Sequence, residues 1–371
     1  MAHDATTPDA PDVALPDATP ARVGRSRPGL AVRGWDLAVP VALVLAWVAG
    51  ALFVEGFGRG SNVAFLLLDV VAIALLALPL TLIIVTGEID LSVASVVGLT
   101  GAVMGQLWVA GLPLELIVPL CLLLGAVAGA LSGVFVTAFG LPSLAVTIGG
   151  LALFRGLALV VLGDRAVADF PIEWTTAITA SIPGTPIPWV LVPLALLAVV
   201  FGLVLHATPT GRALYAMGAN PEAARFSGIA VARTKFWLFV TSGTVAGLTG
   251  VFWTLRYASA RADNAEGLEL SVIAAVLLGG VSIFGGKGSL PGALAAVLLL
   301  GTLRNALQLA SVSSEALTIV TGLLLIVSVL APNVGAAVRR RLRRAHAAAP
   351  SSIPSPAGQD GDSVPIRKER P

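Results

Sequence analysis

The sequence predicts an all-α, polytopic membrane protein of about ten transmembrane helices, and its composition and charge distribution support this. Of the 371 residues, 56% are hydrophobic and only 12% are charged, and the mean hydropathy is +0.92. Soluble domains carry about a quarter charged residues, so this chain has too little polar surface to cover a globule in water. The composition therefore excludes a soluble enzyme, a nucleic-acid-binding protein and, with its single Cys121, a secreted disulfide scaffold.

The two ends of the chain are predicted to lie outside the folded domain. Residues 1–34 are rich in Asp, Ala, Pro and Thr, and residues 339–371 begin with a basic run and continue with Ala, Pro and Ser. Neither segment can bury enough apolar surface to offset the entropy lost on ordering. We therefore expect two disordered cytoplasmic tails on a transmembrane domain that spans residues 35–338.

Windows of about 20 apolar residues, the length that crosses a bilayer, identify the candidate spans. They lie near residues 37–55, 63–86, 91–110, 114–138, 143–162, 189–206, 236–258, 270–286, 290–309 and 316–336. Gly and Pro interrupt several of these segments, so some spans are expected to be broken or re-entrant.

The basic residues are distributed unequally between the predicted loops. If the N-terminus is cytoplasmic, most of the 23 Lys and Arg residues fall on the cytoplasmic side, in the two tails and in loop 207–235. This agrees with the positive-inside rule and with an even number of spans. Both termini are therefore predicted to be cytoplasmic.

A short internal repeat predicts two inverted halves of five helices each. Residues 90–93 read Asp-Leu-Ser-Val at the start of the third span, and residues 269–272 read Glu-Leu-Ser-Val at the start of the eighth. Because each half has five spans, the two copies have opposite orientations, as in inverted-repeat transporters. Chance similarity between apolar helices is the alternative explanation.

Glycine clusters occur at two places in the chain. Residues 279–289 resemble a phosphate-binding loop but carry Val281 and Gly288 where that motif needs Gly and Ser or Thr, so we expect a tight turn between spans. Gly125, Gly129 and Gly133 are spaced to let another helix approach the fourth span closely. Packing within one bundle is a more common role for such a stripe than a subunit interface. The sequence contains no catalytic motif and no metal-ligand cluster.

Loop 207–235 is predicted to form a compact cytoplasmic knob of two short helices. Asn220 is a good N-cap, Pro221 fits the first helical position, and Gly228 suits the residue after the helix. A preceding turn is expected to close on Gly218. A loop that only connects two spans does not need two capped helices, so this pattern favours docking into a groove on a partner protein. The alternative is an ordered loop that binds no partner.

Several motifs occur in one order between residues 37 and 335, and together they resemble a known family. They are Ile84-Val85-Thr86-Gly87-Glu88-Ile89-Asp90-Leu91-Ser92-Val93, Gly140-Leu141-Pro142-Ser143, Thr147-Ile148-Gly149, Gly211-Arg212, Gly218-Ala219-Asn220-Pro221-Glu222-Ala223-Ala224, Ser227-Gly228-Ile229 and Ala274-Ala275-Val276-Leu277-Leu278-Gly279-Gly280. The chain thus resembles the ribose-type permeases, the membrane subunits of bacterial ABC sugar importers. Leu303-Arg304-Asn305 is most similar to rhamnose-type permeases, although ribose and autoinducer-2 permeases share most of the motifs. Ala94 follows Asp90-Leu91-Ser92-Val93 at a position where this family usually has Gly.

The resemblance implies a division of labour in the bacterial plasma (inner) membrane. An extracytoplasmic binding protein captures a monosaccharide such as rhamnose or ribose, two permease subunits form the path as a homodimer or heterodimer, and a cytosolic ATPase binds and hydrolyses ATP. The chain itself is then no enzyme and has no cofactor. The implied ATPase-coupling residues are Gly211, Arg212, Tyr215, Gly218, Asn220, Pro221, Glu222, Ala223, Ala224, Ser227 and Gly228.

Polar residues within the spans are the candidates for contact with the solute. Trp253, Arg304, Asn305 and Arg155 are expected to line the path, because sugar sites combine aromatic faces with hydrogen-bond donors. Snorkelling or pairing between helices is the alternative for each charge, including Asp69. Two further functions stay open at this point: a permease for autoinducer-2 or another small polar solute, and an ion-coupled secondary transporter.

Overall fold

A computed structural model describes residues 34–313 and the five further positions 316, 319, 322, 323 and 326. Gly34 begins the first helix. The rest of the predicted N-terminal tail, the C-terminal tail and, apart from those five positions, the tenth predicted span lie outside the described residues.

The described part of the chain is all-helical, as predicted, with two isolated β-bridges and no strand among these residues. The helices in chain order are α1 (Gly34–Phe53), α2 (Gly60–Val85), α3 (Val93–Val109), α4 (Leu114–Thr137), α5 (Ser143–Leu162), α6 (Ile172–Thr179), α7 (Leu191–Ala207), α8 (Pro209–Ala219), α9 (Pro221–Phe226), α10 (Val231–Tyr257), α11 (Leu268–Leu278) and α12 (Leu290–Leu309).

The first nine predicted spans each contain one of these helices. Within the described residues, five helices are long and apolar enough to cross a membrane alone, and a sixth span results if α7 and α8 count as one span bent by 66°. Three further apolar segments of 17 residues or fewer are Leu37–Phe53 within α1 and the whole of α3 and α11. The prediction missed α6, a short helix between the fifth and sixth spans whose polar and apolar residues are mixed.

The predicted span 270–286 differs most from its prediction, because α11 stops at Leu278. Gly280 then adopts a φ of 90°, a left-handed conformation that breaks the helix and favours glycine. The chain continues as a turn over residues 279–289, as the glycine cluster there predicts. The eighth span is therefore a half-length helix that ends in a turn, and Gly285 and Gly286 of this turn pack against the end of α8.

The connection before α11 also enters the bundle as non-helical backbone. Ala260, Ala262 and Ala265 in this segment are buried. Arg155 of α5 donates hydrogen bonds from Nη1 to the carbonyl oxygens of Ala262 (2.8 Å) and Asn264 (2.9 Å). Non-helical backbone is tolerated at membrane depth only where protein or water forms hydrogen bonds with its polar groups. Here Arg155 forms those bonds with two of the carbonyl groups.

Helices α2 and α10 form the centre of the bundle. In each, 67% of the most apolar window is buried, against 22% for α5 at the periphery. From Val70 to Val85, helix α2 carries apolar side chains apart from Thr81, and nearly all of them are buried, which is typical of a helix surrounded by protein. The outer faces of α4 and α5 instead expose Leu, Val and Ile side chains, as a lipid-facing surface requires.

The glycine stripe of α4 packs against α10 of the same chain. A Cβ at Gly125 would overlap the Gly243 carbonyl oxygen, and one at Gly129 would overlap the Phe239 carbonyl oxygen. The two backbones are therefore close enough for direct contact, which only glycine permits. Packing within one bundle accounts for this stripe.

The bundle has two ends, here called the α8 end and the α6 end after the helices that lie there. The two copies of the internal repeat start at opposite ends, Asp90 at the α8 end and Glu269 at the α6 end. Asp90 is buried, where it accepts hydrogen bonds from Ser92 and, at 2.9 Å, from the Ser242 hydroxyl of α10. It joins the start of α3 to α10.

We expect Gly129→Ala to destabilise the protein, because the added methyl group would push α4 away from α10. Overpacking of this kind costs about 1–3 kcal/mol. The midpoint of thermal unfolding in detergent should therefore fall. Gly156→Ala in α5 is the matched control, since nothing lies within 4 Å of a Cβ at that position. Equal midpoints for the two variants would contradict the helix contact.

Candidate functional site

Helix α8 leaves α7 at a sharp and well-specified corner. The Thr208 hydroxyl accepts a hydrogen bond from the Gly211 N–H (3.2 Å), and Pro209 occupies the first helical position. A Cβ at Gly211 would overlap the Leu205 carbonyl oxygen, so only glycine lets the new helix start this close to the end of α7. The corner places α8 across one end of the bundle.

Helix α9 forms as predicted from its capping residues. The Asn220 side chain accepts a hydrogen bond from the Ala223 N–H (3.0 Å), Pro221 begins the helix, and Gly228 follows its end with a φ of 84°. The segment predicted as a turn from Gly211 to Met217 is the longer helix α8, which continues two residues past Met217 to Ala219, so Gly218 lies inside the helix rather than closing it.

Gly218 joins α8 to the rest of the bundle by direct backbone contact. A Cβ there would overlap both the Val85 carbonyl oxygen at the end of α2 and the Gly286 nitrogen in turn 279–289. The Gly286 N–H donates to the same Val85 carbonyl (2.8 Å), and the Tyr215 hydroxyl donates to the Gly288 carbonyl (2.8 Å). α8 is thereby attached to α2 and to the connection between α11 and α12.

The outer surface of this end combines charged and aromatic side chains. Within α9 only Ala224 is buried. Glu222 and Arg225 are exposed, Phe226 is 91% exposed, and Phe284 of turn 279–289 is 78% exposed. Sequence reasoning missed Phe284, although a large aromatic residue between glycines in a turn is a usable signal. We call Glu222, Arg225, Phe226 and Phe284 the α9 surface.

Among the described residues, basic side chains outnumber acidic ones at the same end, whereas acidic ones outnumber basic ones at the α6 end. Lys235 forms an ion pair with Glu88, and both side chains are largely buried, so α10 is fastened to the end of α2. Arg212, Arg225 and Lys287 have no ion pair with another described residue. The α8 end is therefore the positive end, as the charge rule predicts for the cytoplasmic side.

Two of the four predicted solute-contacting residues are engaged in hydrogen bonds within the bundle. Arg155 bonds the carbonyl oxygens described above. Asn305 of α12 and Asn62 of α2 exchange two hydrogen bonds between their side-chain amides, at 2.9 and 3.0 Å. Sequence reasoning missed Asn62, and no local pattern indicates this pair.

The other two, Trp253 and Arg304, lie beside a charged and aromatic cluster at the α6 end. The Asp69 carboxylate of α2 accepts hydrogen bonds from Arg256 (3.5 Å) and from the Tyr257 hydroxyl (3.4 Å), both on α10. The Trp253 ring lies 5.1 Å from the Tyr257 ring. Arg304 of α12 is close enough to act electrostatically on Asp69. Sequence reasoning singled out Asp69 but missed Arg256 and Tyr257.

The position of this cluster restricts what can lie next to it. Asp69 lies about 14 Å along the axis of α2 from Gly60, and 47% of its side chain is exposed. Arg304 is exposed as well. On insertion scales a charged side chain in the middle of a bilayer costs about 2.5–3.5 kcal/mol. Water or protein, rather than lipid, is therefore the environment that this face requires.

A second arginine–aspartate pair lies at the same end but outside the helices. Arg261 donates two hydrogen bonds of 2.8 Å each to the Asp263 carboxylate. These bonds lower the pKa of Asp263, because they stabilise its charged form. Both side chains are about half exposed, so this is a surface ion pair. Among the described residues, no three His, Cys, Asp or Glu side chains lie close enough together to hold a metal ion.

Comparison with known proteins identifies the family. Residues 62–329 match the model of the family described as "Branched-chain amino acid transport system / permease component". The Autoinducer 2 import system permease protein LsrD of Escherichia coli strain K12 is 35% identical over 307 residues, which cover 81% of this chain and 92% of that protein. The LsrD protein of Yersinia enterocolitica is 34% identical over 310 residues, with the same coverage. No solved structure matches the chain.

The matched region includes α2 from residue 62 onward and every helix from α3 to α12, and therefore both the α9 surface and the cluster around Asp69. The family match covers well over half of the chain, and the relatives are aligned along nearly their whole length. The chain belongs to this family of permease components, the membrane-embedded subunits of ABC importers.

Proposed function

We propose that the chain is the permease subunit of an importer for a small hydroxylated solute, and that a cytosolic partner ATPase binds the ATP that drives it. The observation that carries the proposal is the attachment of α8 to the bundle through Gly218 and Tyr215. A surface fastened to α2, α11 and α12 by backbone contacts can pass the movement of a partner to the transmembrane helices.

The α9 surface is the part of this end that fits an ATPase groove. It offers two exposed phenylalanine rings beside the charges of Glu222 and Arg225. Buried aromatic anchors with an adjacent charged pair are typical of interface centres. The coupling residues implied by the resemblance divide accordingly: Gly211, Tyr215 and Gly218 hold α8 in place, Asn220, Pro221 and Gly228 shape α9, and Glu222 contacts the partner.

The solute is proposed to be autoinducer-2 or a monosaccharide such as rhamnose or ribose. The relatives named above are autoinducer-2 permeases, which favours that solute, while the motif resemblance also includes ribose-type and rhamnose-type permeases. At 35% identity the solute-contacting side chains are free to differ, so the substrate class is supported better than any one member of it.

The assembly that this function needs has three further components. The α8 end would face the cytosol and the ATPase, because basic residues outnumber acidic ones there while the opposite holds at the α6 end. The α6 end would face an extracytoplasmic binding protein, and the polar face around Asp69 would lie against a second permease subunit or the water of the path. Both termini are then cytoplasmic, in the bacterial inner membrane.

Glu222→Arg is expected to uncouple transport from ATP hydrolysis. The side chain is exposed, so the variant should fold and reach the membrane, while the reversed charge opposes docking of the ATPase. Uptake and solute-stimulated ATPase activity should both fall at least about tenfold. Glu173→Arg is the matched control for the amount of complex in the membrane and for retention of the ATPase, since Glu173 also lies in the first turn of a short exposed helix, α6, but at the opposite end. Uptake is not compared for this control, because that end would face the binding protein.

Wild-type uptake by Glu222→Arg cells would contradict the coupling role. Gly218 is a poorer choice for this test, because any side chain there collides with the backbone of α2 and of turn 279–289. Its replacement would alter the fold and the docking surface together.

Uptake of labelled autoinducer-2, rhamnose and ribose by host cells, with and without the gene for this chain, tests the substrate class. We expect uptake of at least one of them to depend on the chain, to be inhibited by vanadate and to persist when ionophores collapse the ion gradients. Uptake that resists vanadate and is abolished by ionophores would instead identify an ion-coupled transporter.

A further inference from the structure

The Asp69 carboxylate has hydrogen-bonding capacity that the described residues leave unused. Both of its hydrogen bonds are long, 3.5 Å from Arg256 and 3.4 Å from Tyr257, and both reach the same oxygen, Oδ1. The Arg261–Asp263 pair shows the contrast, with two bonds of 2.8 Å that use both carboxylate oxygens. Long contacts at a half-exposed carboxylate are typical of a site whose bonds shorten when a ligand arrives.

Arg256 is held by aromatic rings more than by hydrogen bonds. Its guanidinium carbon lies 5.5 Å from the centre of the Phe65 ring and 5.3 Å from that of the Tyr257 ring. Only 12% of the side chain is exposed, and Nε has no hydrogen-bond partner among the described residues. The rings fix the position of the guanidinium while leaving donors for a ligand.

The aromatic side chains next to these charges provide apolar faces. Trp253 and Tyr257 form a tilted pair, and the Phe65 and Tyr257 rings are about half exposed. A sugar-like molecule presents hydroxyl groups at its rim and an apolar C–H face. Aromatic faces beside a carboxylate and a guanidinium match both features, since the charged groups accept and donate hydrogen bonds.

A purely structural ion pair between α2 and α10 would be expected to look different. It would be short and enclosed, as Lys235–Glu88 is at the other end of the bundle. Here the carboxylate is half exposed, and a second cation, Arg304, lies on a third helix, α12. The cluster therefore brings charges from three helices together, and Asp69 and Arg304 stay exposed beside one another instead of forming a closed pair.

We propose that Asp69, Arg256 and Tyr257, with the rings of Phe65 and Trp253, form a binding site for a neutral, hydroxyl-rich solute at the α6 end of the path. This proposal rests on the proposed function and assigns its solute-binding residues. Asp69 accepts hydrogen bonds from solute hydroxyls, Arg256 and the Tyr257 hydroxyl donate to them, and the rings cover the apolar face of the solute.

The test is direct binding of labelled autoinducer-2, rhamnose and ribose to the assembled importer, purified from its native host in nanodiscs without the binding protein. Saturation-transfer NMR detects binding in the millimolar range and yields a Kd by titration. We expect Asp69→Asn to raise the Kd at least tenfold and Tyr257→Phe to raise it about threefold, since the latter removes one hydroxyl. The amount of assembled complex is measured for each variant alongside the Kd.

Asp263→Asn is the matched control, because it alters an arginine–aspartate pair at the same end but outside the cluster, and its Kd should equal that of the wild type. If Asp69→Asn prevents assembly, Tyr257→Phe decides, since it keeps the ring and its packing.

An unchanged Kd in Tyr257→Phe, or the absence of binding by wild-type importer of a solute that cells do transport, would overturn the site. Failure of wild-type cells to take up any of the three solutes would instead overturn the proposed function, and with it the solute class of the site.

Discussion

Every backbone polar group within a membrane must find a partner inside the protein, and the two non-helical segments that flank α11 are where this constraint shapes the fold. Before α11, the segment entering the bundle is satisfied by Arg155. After α11, the turn over residues 279–289 closes on itself and donates from Gly286 to the Val85 carbonyl. Each segment thus requires a specific neighbour, and those neighbours position the functional surfaces.

The turn after α11 and the segment before it lie at opposite ends of the bundle. The turn supports α8 through Gly218 and Tyr215, while the segment before α11 begins directly after Tyr257, a member of the charged cluster. Helix α11, about 16 Å long, connects the two. Because α11 is short and links the proposed ATPase surface to the proposed solute site, a movement at one of them can be passed directly to the other.

Glycine permits the close contacts on which this arrangement relies. Where Gly125 and Gly129 of α4 meet α10, and where Gly218 meets α2, backbone touches backbone. Such contacts replace the hydrophobic effect, which does not drive helices together within lipid. They also help to specify which helices become neighbours, because each close contact requires glycine at a particular position.

Local signals were sufficient for much of the fold. The spans, the caps of α9 and the glycine turn depend on residues near each other in the chain, and short-range sterics and hydrogen bonding decide them. The contacts of Asn305 and Asp69 were beyond such reasoning. Asn305 bonds Asn62, and Asp69 bonds Arg256, across very long sequence separations. The sequence around a polar residue in a span does not distinguish one that binds a solute from one that bonds a neighbouring helix.

The sequence by itself determined that the chain is a helical membrane protein, which end of the bundle carries its basic residues and which loop forms the capped helices α8 and α9. Hydrophobic periodicity, charge distribution and helix capping depend on residues that are near each other in the chain, so the sequence is sufficient to predict them. Only the tertiary structure decided that α11 is a half-length helix, that α8 rests on α2 through Gly218, and that Asp69 lies with Arg256 and Tyr257. Those outcomes depend on which helices become neighbours, and that depends on how the whole bundle packs.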